Sequence, residues 1–336
     1  MRIALVSTAY KATPPTGYGG IERVVYELCE ELVRQGHEVL LFAAKGSHCS
    51  GRTIEIDAFD PATAPSGVTK QEHIVSEEPV YTAMGAALEE FRPDIVHDWS
   101  FQNLFVLRHP ARFPFLVSTC VPPAPGYVRP NLVACSRAHA ALFGATTRFV
   151  HYGLDLSRWP WTKEKAPHLI HIAKIARYKG QHLSILAARR ARRPLHIAGN
   201  VEDRLYWNLV VRPLVWLTPG VRYVGEIPGT AAHLRQAKAL VQAPRWFEAY
   251  PLVVLEAGAC GTPVIALAEG GIPEQIEPGR NGFLCRTAGE LADAMARVDE
   301  LDPAAARAHA EERFTVARMA REYAELYARA RDGERW

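Results

Sequence analysis

The 336-residue chain contains no apolar run of the roughly 18–20 residues that a membrane span requires. Its start, Met1-Arg2 followed by Ile3-Ala4-Leu5-Val6-Ser7, is shorter than the apolar core of about 7–15 residues in a secretory leader. It reads as a first β-strand, and the cytoplasm is the expected location. Six cysteines, at 29, 49, 120, 135, 260 and 285, include no C-x-x-C pair. Most fall in apolar strands or helices, where free packed thiols are expected. None of the thirteen histidines has the H-E-x-x-H spacing of a metal site. A charge excess is also missing: 39 basic against 36 acidic residues leave a net +3. That near balance excludes a nucleic-acid coat and an acidic disordered tail, so no nucleic-acid partner is expected. No repeat of fixed period and no low-complexity tract occurs. What remains, 48% apolar and 22% charged residues, is ordinary globular material long enough for two domains.

Strands and helices alternate twice along the chain. Residues 3–7 are followed by a Pro/Gly loop over 11–20. Ile21, Val24, Val25, Leu28, Cys29, Leu32 and Val33 then lie on one helical stripe that Gly36 stops. Further strands are predicted at 38–43, 94–97, 115–119 and 132–134, a helix at 80–91 and a loop over 53–73. Residues 121–130, with prolines at 122, 123, 125 and 130, can be neither helix nor central strand. An ordered loop or a mobile lid is expected there. The second alternation has strands at 169–173, 195–198, 221–224, 239–242 and 263–267. Its helices are predicted at 181–190, 231–236, 252–260, 288–298 and 303–312, and a last amphipathic helix at 316–331. Two such alternations mean two open α/β sheets, joined near 152–165.

The most informative segment begins at Glu248. Pro251 suits the first turn of a helix and Gly261 its end, so Glu248 precedes the helix and Glu256 lies about a turn inside it. Val253, Val254, Leu255, Ala257 and Ala259 surround Glu256 in sequence. A carboxylate there is costly to bury without hydrogen bonds. The paired hydroxyls of a ribose would supply two donors; a local salt bridge is the plainer alternative. The free N–H groups of Leu252 and Val253 favour a phosphate. Lys174 and Lys179 follow a strand, at the end where open α/β sheets bind ligands. Their ammonium groups can neutralise a departing diphosphate, or they line a solvated basic loop. Gly17, Gly19 and Gly20 let backbone approach a ligand just before a helix N-terminus, or simply make a tight turn. Trp99, Phe101 and Tyr127 are either an aromatic platform or core and rim residues. Arg189, Arg190, Arg192 and Arg193 cluster at a helix C-terminus, where they complement its dipole.

The Glu248–seven residues–Glu256 segment resembles the signature of the family 4 retaining glycosyltransferases. Other segments agree in order along nearly the whole chain. Thr16-Gly-Tyr-Gly-Gly-Ile-Glu-Arg23 resembles the family's glycine-rich loop, and Val96-His97-Asp98 its strand end. His151-Tyr-Gly153-Leu-Asp155 resembles its linker, and Ala173-Lys174-Ile175 with Lys179-Gly180 its basic loop. Gly270-Gly271-Ile-Pro273-Glu274 with Gly279-Arg-Asn-Gly282 resembles its distal loop. The resemblance implies an α/β protein of two Rossmann-like domains facing a cleft, the GT-B architecture. Residues 1–155 would form the acceptor-side domain and 156–318 the nucleotide-sugar domain. Residues 319–336 would form a helix packing back on the first. The implied activity is metal-independent, retaining transfer of a hexose from a nucleotide-diphosphate sugar, UDP or GDP being the expected carriers. The acceptor would be a small molecule, a glycan or a lipid-linked molecule, with no further cofactor. No Asp-x-Asp occurs among the ten aspartates, which agrees with the implied absence of a metal site.

On this resemblance Glu248, Lys174 and Lys179 would be catalytic. Gly19, Gly20, Tyr250, Leu252, Val253 and Glu256 would bind the donor. His97, Asp98, Trp99, Cys120 and Tyr127 are the acceptor-side candidates. Two positions depart from the pattern. Lys174 stands where the family usually has arginine, keeping the charge and losing bidentate geometry. Cys120 stands where the family segment usually ends in histidine, and a thiol is a weak donor. Either the departing phosphate takes the acceptor proton or His97 or Asp98 serves instead. Two rivals share the ligand: a nucleotide-sugar 2-epimerase of the same fold, and a non-catalytic sugar-nucleotide binder. A nicotinamide oxidoreductase fits poorly, because the loop at Gly17–Gly20 begins well after Ser7 and lacks the third glycine.

Overall fold

Short runs of branched apolar residues form parallel strands here, and helices return the chain between them. The computed structural model describes residues 1–17, 19–57 and 77–336. It divides into two compact units, one of Met1–Gly153 with Val316–Trp336, the other of Leu154–Thr315.

The first unit holds β1 (Arg2–Val6), β2 (Glu38–Ala44), β3 (Arg52–Ile56), β4 (Ile95–Asp98), β5 (Phe115–Ser118), β6 (Leu132–Ala134) and β7 (Arg148–Phe149). Their order is β3-β2-β1-β4-β5-β6-β7, and every pair is parallel. Parallel strands bury both faces, so Ile3, Ala4, Leu5 and Val6 are all fully enclosed. The helix Gly20–Arg34 turns Val24, Val25, Leu28, Cys29 and Leu32 inward. It ends at Gly36, whose N–H bonds the Val33 carbonyl while that of His37 bonds Leu32. The helix Val316–Arg331 buries Met319, Ala320, Tyr323 and Tyr327 in this unit. The chain therefore returns at Val316, ahead of residue 319, because Val316 and Met319 are already part of the buried face.

The second unit holds β8 (Leu169–Ile172), β9 (Leu195–Ala198), β10 (Val221–Gly225), β11 (Leu240–Gln242), β12 (Val264–Leu267) and β13 (Gly282–Cys285). The order is β10-β9-β8-β11-β12-β13, again all parallel. Leu169, Ile185, Leu195, Ile197, Val241 and Ile265 belong to its core. In each sheet the winding reverses once, between β1 and β4 and between β8 and β11. Ligands of open α/β sheets bind at such points, beyond the carboxyl ends of the strands.

Several expectations need correction. Residues 53–56 are strand, not loop; the remainder of that predicted loop, 58–73, lies outside the described residues, as does Tyr18. The segment Gly282–Cys285 is a strand rather than only a loop. A continuous helical run, Arg204–Tyr206, Trp207–Val211 and Arg212–Leu217, was not expected, and its middle part is a π turn. Pro251 stands just before the first turn of its helix, in extended conformation, and the helix is Leu252–Ala259.

Candidate active site

At the reversal between β8 and β11, four loops converge. Lys174 and Lys179 follow β8, Glu202 follows β9, Trp246 and Glu248 follow β11, and Gly270 follows β12. Lys179 Nζ donates to Glu248 Oε1 at 2.6 Å, and Trp246 Nε1 donates to the same oxygen at 2.7 Å. The ammonium lies 4.9 Å from the Trp246 ring centroid and 5.5 Å from that of Tyr178. Lys174 Nζ donates to Glu202 Oε2 at 2.7 Å, and the Tyr178 hydroxyl to Glu202 Oε1 at 2.8 Å. Burial raises the Glu202 carboxyl, but these two bonds with the charges of Lys174 and Lys179 outweigh it and hold it below the ordinary range. The lysines are thus part of a half-buried charged cluster, not a solvated basic loop.

Two glycines make this convergence possible. Gly180, at φ +70, would place a Cβ 1.8 Å from the Ala243 carbonyl oxygen, so only glycine lets the lysine loop lie against the end of β11. Gly270, at φ +58, would place one 2.2 Å from the Glu248 carbonyl oxygen. That same oxygen accepts the Gly271 N–H at 2.7 Å. The distal loop therefore fixes the backbone of Glu248.

Helix Leu252–Ala259 begins beside this cluster, and the N–H groups of Leu252 and Val253 lie in its first turn, beyond intrahelical bonding. Glu256 is buried within it and accepts the Thr230 hydroxyl at 2.8 Å. Tyr250 is buried in the loop between Glu248 and the helix. The sequence singled out Glu248, Glu256 and both lysines, and the structure brings Lys179 to Glu248 and Lys174 to Glu202. It missed Glu202, Tyr178 and Thr230, which come from separate loops. Trp246, two residues before Glu248, could have been found by adjacency alone.

In the first unit the reversal lies between β1 and β4. Gly19 precedes the helix that Gly20 opens, and a Cβ on Gly19 would press on Pro15 at 2.8 Å. Glu22 is buried one turn on, bonded by the Thr8 hydroxyl, and burial raises its carboxyl. Asp98, at the end of β4, accepts the Ser100 N–H at 2.8 Å; burial pushes its pKa up to about 6. Glu77 accepts the Phe101 and Gln102 N–H groups, and burial first, with Asp98 adding, pushes it up to about 7.

Two acceptor-side assignments fail. His97 is fully buried, with Nδ1 2.7 Å from the Tyr327 hydroxyl and Nε2 2.8 Å from that of Ser118. Burial drives its pKa down to about 3. Trp99 is also core, its ring centroid 5.0 Å from His97 and 5.9 Å from both Tyr152 and Tyr323. Both side chains belong to the seam with the C-terminal helix. No aromatic platform forms: Phe101 meets Tyr10 and Tyr127 meets Phe143. Tyr127 stays half-buried under the Arg129 guanidinium, its hydroxyl pushed up to about 12 by burial. Cys120 lies beyond β5, and burial first, then the Glu22 charge, pushes its thiol up to about 12. All six cysteines are free, and those at 29, 135, 260 and 285 are buried.

Residues 155–313 match the model of the glycosyl transferases group 1, and residues 18–122 that of Glycosyltransferase Family 4. The chain belongs to the family 4 glycosyltransferases. It is 28% identical over 414 aligned positions to a glycogen synthase of Mycobacterium tuberculosis, covering 100% of this chain and 96% of that protein. A solved glycosyltransferase involved in avilamycin A biosynthesis superposes with a TM-score of 0.81 at 24% identity, over 100% of this chain and 99% of that one. Anabaena HepE in complex with UDP-glucose superposes with a TM-score of 0.72 at 17% identity, over 98% and 99% of the two chains. These likenesses establish the GT-B fold for this glycosyltransferase, with its two parallel-sheet α/β domains.

Proposed function

We propose that this glycosyltransferase moves a hexose from a nucleotide-diphosphate sugar to an acceptor hydroxyl with retention of configuration and without a metal ion, in the cytoplasm. The observation that carries the reading is the Lys179–Glu248–Trp246 cluster at the sheet reversal, beside the start of helix Leu252–Ala259. Glu248 offers a carboxylate to sugar hydroxyls and orients the ring. The Leu252 and Val253 N–H groups receive the diphosphate, and Glu256, already accepting one hydroxyl from Thr230, receives those of the ribose. Lys174 and Lys179 stabilise the charge that grows on the leaving diphosphate. A hexosyl donor accords with the glycogen synthase relative and with HepE, which was solved with UDP-glucose.

Retention follows from attack on the face the diphosphate leaves. The C1–O bond to phosphate breaks, the acceptor oxygen bonds C1 on that face, and the acceptor proton passes to the departing phosphate oxygen. Two of the side-chain alternatives, His97 and Cys120, are poor bases. His97 has both nitrogens engaged, and the Cys120 thiol is held protonated by burial.

Calorimetry and product NMR on two variants test the reading. Glu256→Ala is expected to weaken nucleoside-diphosphate binding by about 1.5–3 kcal/mol, the worth of a charged hydrogen bond. Glu248→Ala should leave that binding nearly intact and slow transfer instead. Chelator should not change the wild-type rate. Wild-type protein that binds no nucleoside diphosphate, or forms an inverted product, sinks the proposal.

A further inference from the structure

The helical run from Arg204 to Leu217 in the second unit has two unlike faces. Tyr206 and Val211 are buried, and Trp207, Val210, Leu214 and Val215 pack on the same core. The opposite face carries large apolar side chains into solvent: Trp216 is 84% exposed, Leu209 68%, Leu205 63% and Leu217 59%. At 1.5 Å per residue this outward face runs about 20 Å. Isolated exposed leucines are common on soluble proteins. Three leucines and a tryptophan on one short element make an apolar face that water alone does not favour.

The charge around the strip has one sign. No aspartate or glutamate occurs between Asp203 and Glu226, whereas Arg204 and Arg212 do, both exposed. The helix Gln181–Ala191 packs alongside, and the Gly220 carbonyl accepts the Leu195 N–H, which brings the end of the strip near Arg192. Arg192 and Arg189 are exposed as well. Of the neighbouring arginines, Arg190 pairs with Asp293 and Arg193 with Asp299. Arg189, Arg192, Arg204 and Arg212 have no ion pair among the described residues. β10 is the open edge of its sheet; its Tyr223 packs on Trp207 at 4.4 Å, so Arg222 points to the sheet's other face, away from the strip.

We propose that this face docks the protein, peripherally and reversibly, on an anionic lipid bilayer. An apolar strip with tryptophan at one end and unpaired arginines beside it matches the headgroup–acyl boundary: the strip enters the boundary and the guanidinium groups meet lipid phosphates. No helix among the described residues is long and apolar enough to cross a membrane, so the contact lies on the surface. Charge complementarity selects this occupant over a second copy of the chain, since two such faces would bring like charges together.

Co-sedimentation with vesicles tests the proposal without reference to turnover, so it stands or fails separately from the donor reading. Wild-type protein should bind phosphatidylglycerol-containing vesicles at low salt, bind phosphatidylcholine vesicles far less, and be released by high salt. A double Arg204→Gln, Arg212→Gln variant should lose roughly 25-fold in partitioning, at about fivefold per arginine. Trp216→Ser should weaken binding independently of salt. All three positions are exposed, so the variants should match wild type in thermal melting and in transfer to a soluble acceptor. Three results overturn the proposal: no binding to anionic vesicles, wild-type binding by the variants, or lipid-free self-association that Trp216→Ser abolishes.

Discussion

Cys120 is the residue at which chemistry and packing are easiest to confuse. It follows β5 in the first unit, near the buried Glu22, and burial holds its thiol protonated. A thiol in that state is neither nucleophile nor base, so Cys120→Ser should keep much of the transfer activity. Rates of Cys120→Ser and Glu248→Ala, measured side by side at saturating donor, decide the matter; equal loss would mean that the thiol carries chemistry. The residues legible in the sequence were those that motif spacing connects, Glu248 and Glu256 at one helix entry and Lys174 with Lys179 in one loop. Glu202, Tyr178 and Thr230 were invisible because each reaches the site from its own loop, and no spacing connects them. His97 and Trp99 were misassigned for a physical reason. The end of β4 looks like a ligand position in one dimension, and only the return of Tyr323 and Tyr327 from the far end of the chain covers it.

At the scale of elements, strands were readable where branched residues run together and helices where one stripe recurs. The Arg204–Leu217 run was missed because Pro213 argues against a helix. The chain accommodates it by a π turn over Trp207–Val211, which leaves Pro213 in the first turn of the next helical piece. β13 was missed because four residues opening on glycine offer little periodicity. The loop after β12 was recognised by resemblance, but its work is mechanical: it clamps the Glu248 backbone. Gly270→Ala should therefore lower kcat as well as stability, because the added Cβ meets the Glu248 carbonyl at 2.2 Å and φ is +58. Gly279→Ala is the control in the same loop. Its φ is +83 but a Cβ there meets nothing within 4 Å, so it should cost only the left-handed strain, about 1–2 kcal/mol, and leave kcat alone. Thermal melts and rates for the pair check this. Equal kcat for the two variants would detach the loop from Glu248.

The whole molecule is built asymmetrically. The second unit is one continuous stretch, Leu154–Thr315, whereas the first closes only when Val316–Trp336 returns to it. That return is chemically specific. The Tyr327 hydroxyl meets His97 at 2.7 Å, Arg318 donates to the His151 and Tyr152 carbonyls, and Trp336 Nε1 donates to Leu132 at 2.9 Å. Removing residues 316–336 would uncover His97, Ser118 and Trp99 and delete the fully buried Met319, Tyr323 and Tyr327. Each large buried side chain lost costs about 3–5 kcal/mol. Three or more together reach the whole stability of an ordinary domain, about 5–15 kcal/mol. A protein ending at Thr315 should thus lose the cooperative unfolding of its first unit while the second keeps its own transition. Scanning calorimetry separates the two, and limited proteolysis should leave a resistant core spanning 154–315. Nucleoside diphosphate should still raise the surviving transition, because Glu248, Glu256, Lys174 and Lys179 all lie within that stretch. A truncated protein that melts like the full chain would show that the C-terminal helix rests on the first unit without completing it.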